Sequence, residues 1–275
     1  MDFKNKTAVI VGGGGGLGLA TALEFARAGA SLVIMDGDQK KLEAAGAVLA
    51  GQKIPPPALS LRLDVSSAAA VAEAFRLVDQ AALAVNFLIN AAGLREVKMV
   101  YDLSPEEFQR VVNVNLCGVY YCCREAALRM RSLGGGAMVT VASVAGLTGL
   151  PHRPAYCASK HGLVGLSRNL ALDLGKDGIR VNVLAPGTIR TPMTEAYYSS
   201  RAFLDGLDEL VPLGSQLGGS QDVARAAVFL CSEAAEFITG ACLPVDGGWS
   251  AGKSYAIGQS TPYTSAGSGS VGAVD

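Results

Sequence analysis

No long basic run occurs in this 275-residue chain, and 23 Lys and Arg against 24 Asp and Glu leave a formal charge of -1 and a pI of about 6.2. That balance supplies no electrostatic pull toward nucleic acid or an anionic membrane, so a small-molecule partner is expected. Also missing are an apolar run long enough to span a bilayer and, after Met1-Asp2-Phe3-Lys4-Asn5-Lys6, a leader-like apolar region with a cleavage site. A soluble cytoplasmic protein is the expectation. The six cysteines (Cys117, Cys122, Cys123, Cys157, Cys231 and Cys242) show no paired C-x-x-C spacing, so no metal is expected. They fall in apolar segments and read as buried reduced thiols, which suits a cytosol.

What is present is apolar bulk: 50% of residues are hydrophobic and 17% charged, too apolar for a disordered chain and about the size of one large α/β domain. Residues 1–250 read as that domain, with an irregular segment at about 188–217 suited to a lid. The Gly- and Ser-rich tail, 251–275, should fray unless it docks on the body or on a neighbouring subunit.

Thr7 to Val11 is a short β-branched run, followed by five glycines and then helical spacing from Leu17 to Ala26. Strand, glycine turn and helix together make a pyrophosphate site, because glycine lets the backbone turn sharply and the helix N-terminus favours negative charge. Two registers remain open: Gly13, Gly15 and Gly18 satisfy G-x-G-x-x-G, and Gly12, Gly16 and Gly18 satisfy G-x-x-x-G-x-G. The next strand, Ser31 to Met35, ends in Asp36, whose carboxylate can accept both hydroxyls of an adenosine ribose and would repel a 2′-phosphate. NAD is therefore expected and NADP disfavoured. Lys40 and Lys41 read as solvated residues of the following helix.

That helix runs from near Gln39 to Ala50, and Pro55-Pro56-Pro57 links it to a strand from Leu59 to Leu63. Asp64 ends the strand, where it could receive an adenine amino group or cap the helix after Ser66. A helix over Val71–Ala82 and a strand over Val85–Ile89 come next. The small residues of Asn90-Ala91-Ala92-Gly93 would let a flat cofactor lie against the sheet, although Asn90 alone could equally be a strand-ending turn. Ser104-Pro105-Glu106-Glu107 is a helix start, and a longer helix carrying Asn115 spans about Val112 to Ser132. Ser143 lies just past the strand Ala137–Ala142, where open α/β sheets bind ligands. Pro154 begins a helix to about Leu174, and Tyr156 and Lys160 share one face of it. An ammonium there could lower the phenol from its usual value near 10 toward neutrality, favouring the phenolate by about 4 kcal/mol. A lone Tyr-x-x-x-Lys pair also arises by chance on solvated faces, so the pair gains weight only from its surroundings. Strand Arg180–Leu184, helix Gln221–Cys231 and strand Ala241–Val245 complete an alternating pattern. The fold expected is α/β, a Rossmann-type doubly wound parallel sheet with helices on both faces.

Together these motifs resemble the short-chain dehydrogenase/reductase family over roughly Phe3 to Ser250. The resemblance is carried by Gly12-x-x-x-Gly16-Leu17-Gly18, Asn90-Ala91-Ala92-Gly93, Val114-Asn115, Ser143 13 positions before Tyr156, Tyr156-x-x-x-Lys160, Pro186-Gly187 with Thr191, and Val245-Asp246-Gly247-Gly248. Val11 departs from it, standing where the family has a Thr whose hydroxyl ties the turn to the strand after Gly93, and a looser turn is expected. The resemblance implies Tyr156 as general acid/base, Ser143 as partner of the substrate oxygen, Lys160 as modulator of the phenol and holder of the nicotinamide ribose, and Asn115 as support for a water leading to solvent. For the cofactor it implies Gly12, Gly14, Gly15, Gly16, Leu17, Asp36, Asp64, Val65, Asn90, Ala91, Gly93, Tyr156, Lys160, Pro186, Gly187, Ile189 and Thr191. It also implies a homotetramer.

Substrate contacts are expected from Leu94 and Arg95, from Leu150, His152 and Arg153, and from the lid residues Met193, Tyr197 and Tyr198. His152 also reads as a surface-loop histidine, and Arg153 as either a binder of an acidic group or a solvated residue. The lid's aromatic character, with Phe203 and Leu204, points to a hydrophobic or cyclic secondary alcohol or ketone rather than a small anion. The competing functions are an NADPH-dependent 3-oxoacyl-type reductase and a non-catalytic NAD-binding scaffold or redox sensor.

Overall fold

The computed structural model describes residues 1–191, 194–214 and 218–252. Its seven strands are β1 (Thr7–Val11), β2 (Ser31–Asp36), β3 (Leu59–Arg62), β4 (Phe87–Asn90), β5 (Gly136–Val141), β6 (Ile179–Pro186) and β7 (Cys242–Val245). They form one parallel sheet in the order β3-β2-β1-β4-β5-β6-β7. The doubly wound sheet expected from the alternating pattern is the one found. β1 is buried throughout because it lies at the centre, whereas β3 alternates and β7 tolerates Pro244 because both are edges.

The helices are α1 (Gly16–Arg27), α2 (Gln39–Gly51), α3 (Ala68–Gln80), α4 (Pro105–Val112), α5 (Gly118–Ser132), α6 (Pro154–Leu174), α7 (Arg201–Leu210) and α8 (Ser220–Cys231). Strand residues alternate between two cores. Ala8 and Ile10 of β1 face Phe25 of α1, Leu42 of α2 and Val223 of α8, while Val9 and Val11 face Phe75 of α3, Met130 of α5 and Leu163 of α6. Local signals set the helix starts: Asp38 accepts from the Lys40 and Lys41 amides, Ser67 caps α3, and Ser104 and Glu107 form a reciprocal capping box. Asp64 therefore does not cap α3, since its Oδ1 takes the amide and hydroxyl of Ser66 instead.

Two expectations are corrected. The helix start at Ser104 and the long helix from Val112 are one rod, because α4 runs into α5 through a π-turn at Asn113–Cys117. One wide turn suffices to swing Asn115 inward without ending the helix. The segment expected to be irregular holds α7, where Ser200 accepts from the Phe203 amide and Leu207 is the buried contact. Helical periodicity over ten residues with one buried side chain is easily taken for a loop. Met193 and residues 253–275, including nearly all of the tail, lie outside the described residues.

The sheet changes winding direction between β1 and β4, so the C-terminal ends of these neighbours open a crevice. No helix among the described residues is long and apolar enough to cross a membrane. Among the cysteines, Cys122, Cys123 and Cys231 are buried as expected, but Cys117, Cys157 and Cys242 are only half-buried, because each lies near an element end or on a partly solvated helix face. Burial pushes the thiols of Cys123 and Cys231 up to about 12.

Candidate active site

The crevice is a cleft of about 1300 Å³, lined by Gly12, Gly15, Gly16 and Leu17, then Asp36, Asp64 and Val65, then Ala91, Gly93, Leu94 and Thr191. The glycine register left open by the sequence is decided here. Gly12 has φ +81° and Gly16 φ +52°, both in the region that favours glycine, and a Cβ on Gly18 would overlap the Gly12 carbonyl oxygen. Gly12, Gly16 and Gly18 are the turn. The Ala91 amide donates to the Val11 carbonyl at 2.8 Å, a backbone bond that joins β1 to the loop after β4 whatever side chain stands at position 11.

No side chain caps α1, whose N-cap is Gly15, so its first amides remain available to an anion. Asp36 sits beside them. Its Oδ2 accepts from the Gly14 amide at 3.0 Å and its Oδ1 from the Asp38 amide at 3.0 Å, which holds the carboxylate at the cleft wall. A Cβ on Gly14 would come within 2.8 Å of Asp36 Oδ2, so the approach depends on glycine. Cleft size, bare helix start and a carboxylate on the cleft wall fit a dinucleotide. Lys41 and Arg62 also line this end.

Other residues implied for the cofactor are placed differently. Asn90 is buried, with its amide nitrogen directed at Cys123 Sγ and Thr140 Oγ1 and its Oδ1 enclosed without a partner, so its side chain faces the core. β4 extends one residue past its expected end to include it. Pro186 ends β6, with Gly187 and the buried Ile189 just after it; the Gly187 amide is bound to the Val245 carbonyl.

Beyond Gly93 the four candidate catalytic residues converge. Lys160 Nζ and Asn115 Oδ1 would lie 3.7 and 3.4 Å from a Cβ on Gly93, so both reach the same point on the loop. Asn115 is buried. Its Oδ1 accepts from the Leu94 amide at 2.7 Å, and its Nδ2 donates to the Leu94 carbonyl and to Ser159 Oγ at 2.9 and 3.0 Å. One amide thus braces the loop after β4 against α6. Ser159 was not singled out in the sequence; its place within Tyr156-Cys157-Ala158-Ser159-Lys160, one turn from Tyr156, is the signal that could have found it. Ser143, at the end of β5, accepts from the Ala145 amide and hydrogen-bonds the Tyr156 side chain. Lys160 Nζ donates to the Val141 carbonyl at 2.9 Å and lies 5.5 Å from the Tyr156 ring centroid.

The lowering of the phenol expected from Lys160 is not the net result. Burial raises the Tyr156 pKa above its usual value, and the opposing pulls come from the Ser143 hydrogen bond and from the charges of Arg95 and Arg153. Lys160 is itself desolvated, which drops its pKa from 10.5 to about 8. Below pH 8 the lysine is charged in both folded and unfolded chains, and the full burial cost of roughly 3 kcal/mol is present. Between pH 8 and 10.5 the folded protein sheds a proton that the unfolded chain keeps, so stability rises with pH and the cost disappears. Lys160→Met is therefore expected to raise the melting temperature at pH 7, with the gain shrinking toward pH 10. Thermal melts at both pH values check this; a gain independent of pH would contradict it.

The substrate candidates surround Tyr156 unequally. Arg153 Nη2 donates to Tyr197 Oη at 3.2 Å, and the Arg95 guanidinium lies 5.0 Å from the centroid of the Tyr197 ring. Tyr197 stacks on Phe203 of α7, which Tyr198 meets edge-on, while Arg190 lies over Tyr198 and pairs with Glu195. Leu150 is half-buried, its amide directed at Cys157 Sγ. His152 is exposed at φ +61°, with its carbonyl bound by the Lys98 amide, and is a surface-loop residue. Glu96 was missed, because nothing in the sequence marks it. Its Oε1 accepts from the Tyr156 amide at 2.9 Å, placing a carboxylate at the start of α6, where the helix dipole favours it.

Comparison with known proteins agrees with this geometry. The model of a family described as enoyl-(acyl carrier protein) reductase matches residues 12–250. The chain is similar to 3alpha-hydroxysteroid dehydrogenase of Mediterraneibacter gnavus, 35% identical over 90% of this chain and 98% of the other. Among solved structures it is similar to 4-hydroxyisoleucine dehydrogenase complexed with NADH, at TM-score 0.82 and 36% identity over 90% of this chain and 100% of that one. It is also similar to a gluconate 5-dehydrogenase from Burkholderia cenocepacia in complex with NADP and tartrate, at TM-score 0.85 and 29% identity over 92% and 98%. With a family match over most of its length, relatives aligned nearly end to end and the same parallel sheet, the chain belongs to the short-chain dehydrogenase/reductase family and is an oxidoreductase acting on alcohols or ketones.

Proposed function

We propose that this enzyme is NAD-dependent and interconverts a secondary alcohol, with a hydrophobic or cyclic body, and its ketone, using Tyr156 as the general acid/base. The observation that carries the proposal is that Lys160 and Asn115 meet at Gly93, on the wall of the cleft that also holds the Asp36 carboxylate, with the Lys160 ammonium 5.5 Å from the Tyr156 ring centroid. When bound, the nicotinamide supplies the hydride acceptor or donor. The protein supplies the proton. Tyr156, kept neutral by burial, is poised to donate to a forming alkoxide in ketone reduction; in alcohol oxidation its phenolate must receive the proton, so that direction gains with rising pH. Ser143 sets the line of that transfer through its bond to the phenol. Asn115 has spent both amide protons and one lone pair, leaving one lone pair on Oδ1 to hold a water toward Lys160. The aromatic trio Tyr197, Tyr198 and Phe203 supports an apolar substrate body.

For the cofactor, the two solved structures named above bind NADH and NADP respectively, so the choice rests on this chain's own residues. Asp36 argues for NAD; Lys41 and Arg62 on the same wall favour the second reading, an NADP-dependent reductase. Losing a charge-assisted pair of bonds to the ribose costs about 1.5–3 kcal/mol. Asp36→Ala is thus expected to lower kcat/KM with NAD by about 10- to 100-fold while that with NADP rises. Initial rates with both cofactors decide, and an unchanged ratio would remove Asp36 from the site.

A further inference from the structure

Arg153, the last residue before α6, stands three positions before Tyr156 and is half-buried. Its Nε is enclosed, and no acceptor among the described residues reaches it, although Nη2 donates to Tyr197 Oη at 3.2 Å. A buried guanidinium N–H without an acceptor costs stability, because desolvation is not repaid by a hydrogen bond. Proton and hydride transfer at Tyr156 do not require it. Tyr197 carries a second guanidinium, that of Arg95, over its ring. Both positive charges also pull the Tyr156 pKa down against its burial.

We propose that Arg153, with Tyr197 and the Arg95 guanidinium over its ring, holds an oxyanion group of the substrate, a carboxylate or sulfonate, close to the carbon that reacts at Tyr156. Nε and Nη2 form one edge of a planar fork that matches two oxygens of such a group. The Tyr197 hydroxyl accepts from Nη2 and keeps its own proton for the same anion. The substrate is then a hydroxy or oxo acid with an apolar body, which amends the neutral compound expected from the lid's aromatic residues. This inference rests on the oxidoreductase reading of the site and narrows its substrate class.

The test titrates the enzyme–NADH complex calorimetrically with 4-oxocyclohexanecarboxylate, its methyl ester, the matching sulfonate and a series of open-chain oxo acids with their esters. Turnover of each is followed by NADH absorbance. At least one acid or sulfonate is expected to bind tenfold or more tightly than its neutral partner, with the two anions distinguishing carboxylate from sulfonate. Arg153→Met should cut that preference at least tenfold, with Arg153→Lys in between. If no anion is preferred by the unaltered enzyme, or if the preference survives in Arg153→Met, the proposal is wrong. The two readings fail separately: Arg153-dependent binding without turnover of any compound would sink the proposed chemistry alone, whereas turnover of acids and esters alike would sink the anion site alone.

Discussion

Tyr156→Phe is expected to lower kcat about 10³-fold in both directions while NADH affinity changes less than twofold. The phenol is the group the Ser143 hydroxyl acts on, and a positioned acid or base contributes about 10²–10⁴-fold. Removing one oxygen leaves the ring, its packing and the Lys160 bond to Val141 in place, so the cleft keeps its shape. The pH profile supplies an independent readout. Because burial raises the phenol's pKa, alcohol oxidation by the unaltered enzyme should climb through the alkaline range, and the residual rate of Tyr156→Phe should lack that climb. Near-normal turnover in the variant would show that another group moves the proton.

Gly18→Ala is expected to damage both stability and cofactor binding. The added Cβ would overlap the Gly12 carbonyl oxygen and lie 2.7 Å from Gly12 C and 3.0 Å from Gly13 Cα, all of them backbone. A side chain could rotate away, but backbone held by the Gly12 and Gly13 amides bonded to the Met35 carbonyl cannot. Overpacking of this kind costs about 3 kcal/mol, equivalent to a melting temperature lower by roughly 6–12 °C in a chain of this size. The displaced turn should also lose its grip on pyrophosphate, seen as NADH affinity reduced tenfold or more by fluorescence titration. Gly46→Ala in α2 is the control: its Cβ meets nothing within 4 Å, and a helix interior prefers alanine, so stability should be unchanged or rise slightly. Equal behaviour of the two variants would mean that the turn tolerates a side chain.

Much of this molecule was legible because its signals are local. β-branched runs such as Thr7–Val11, caps such as Ser104 with Glu107, and glycines between a strand and a helix act through neighbours a few residues away, so the alternating strands and helices, and hence the doubly wound sheet, follow from the sequence. The motif residues around Tyr156 were legible for the same reason. Contacts between distant segments were not. Whether Gly12 or Gly13 leads the turn depends on how closely β4 approaches, since Ala92 sits where a Gly12 side chain would go. The π-turn that aims Asn115 is stabilised by bonds to Leu94 and Ser159, 21 and 44 positions away. The direction of the Tyr156 shift is set by how much of the fold closes over the phenol, and its four-residue spacing from Lys160 carries no information about that burial. Arg153 read as either solvated or anion-binding until Tyr197, 44 positions on, was found against it. The sequence by itself determined the alternating elements and the candidate catalytic set; tertiary structure alone decided close approach, desolvation and the meeting of charges, because those depend on which distant surfaces come together.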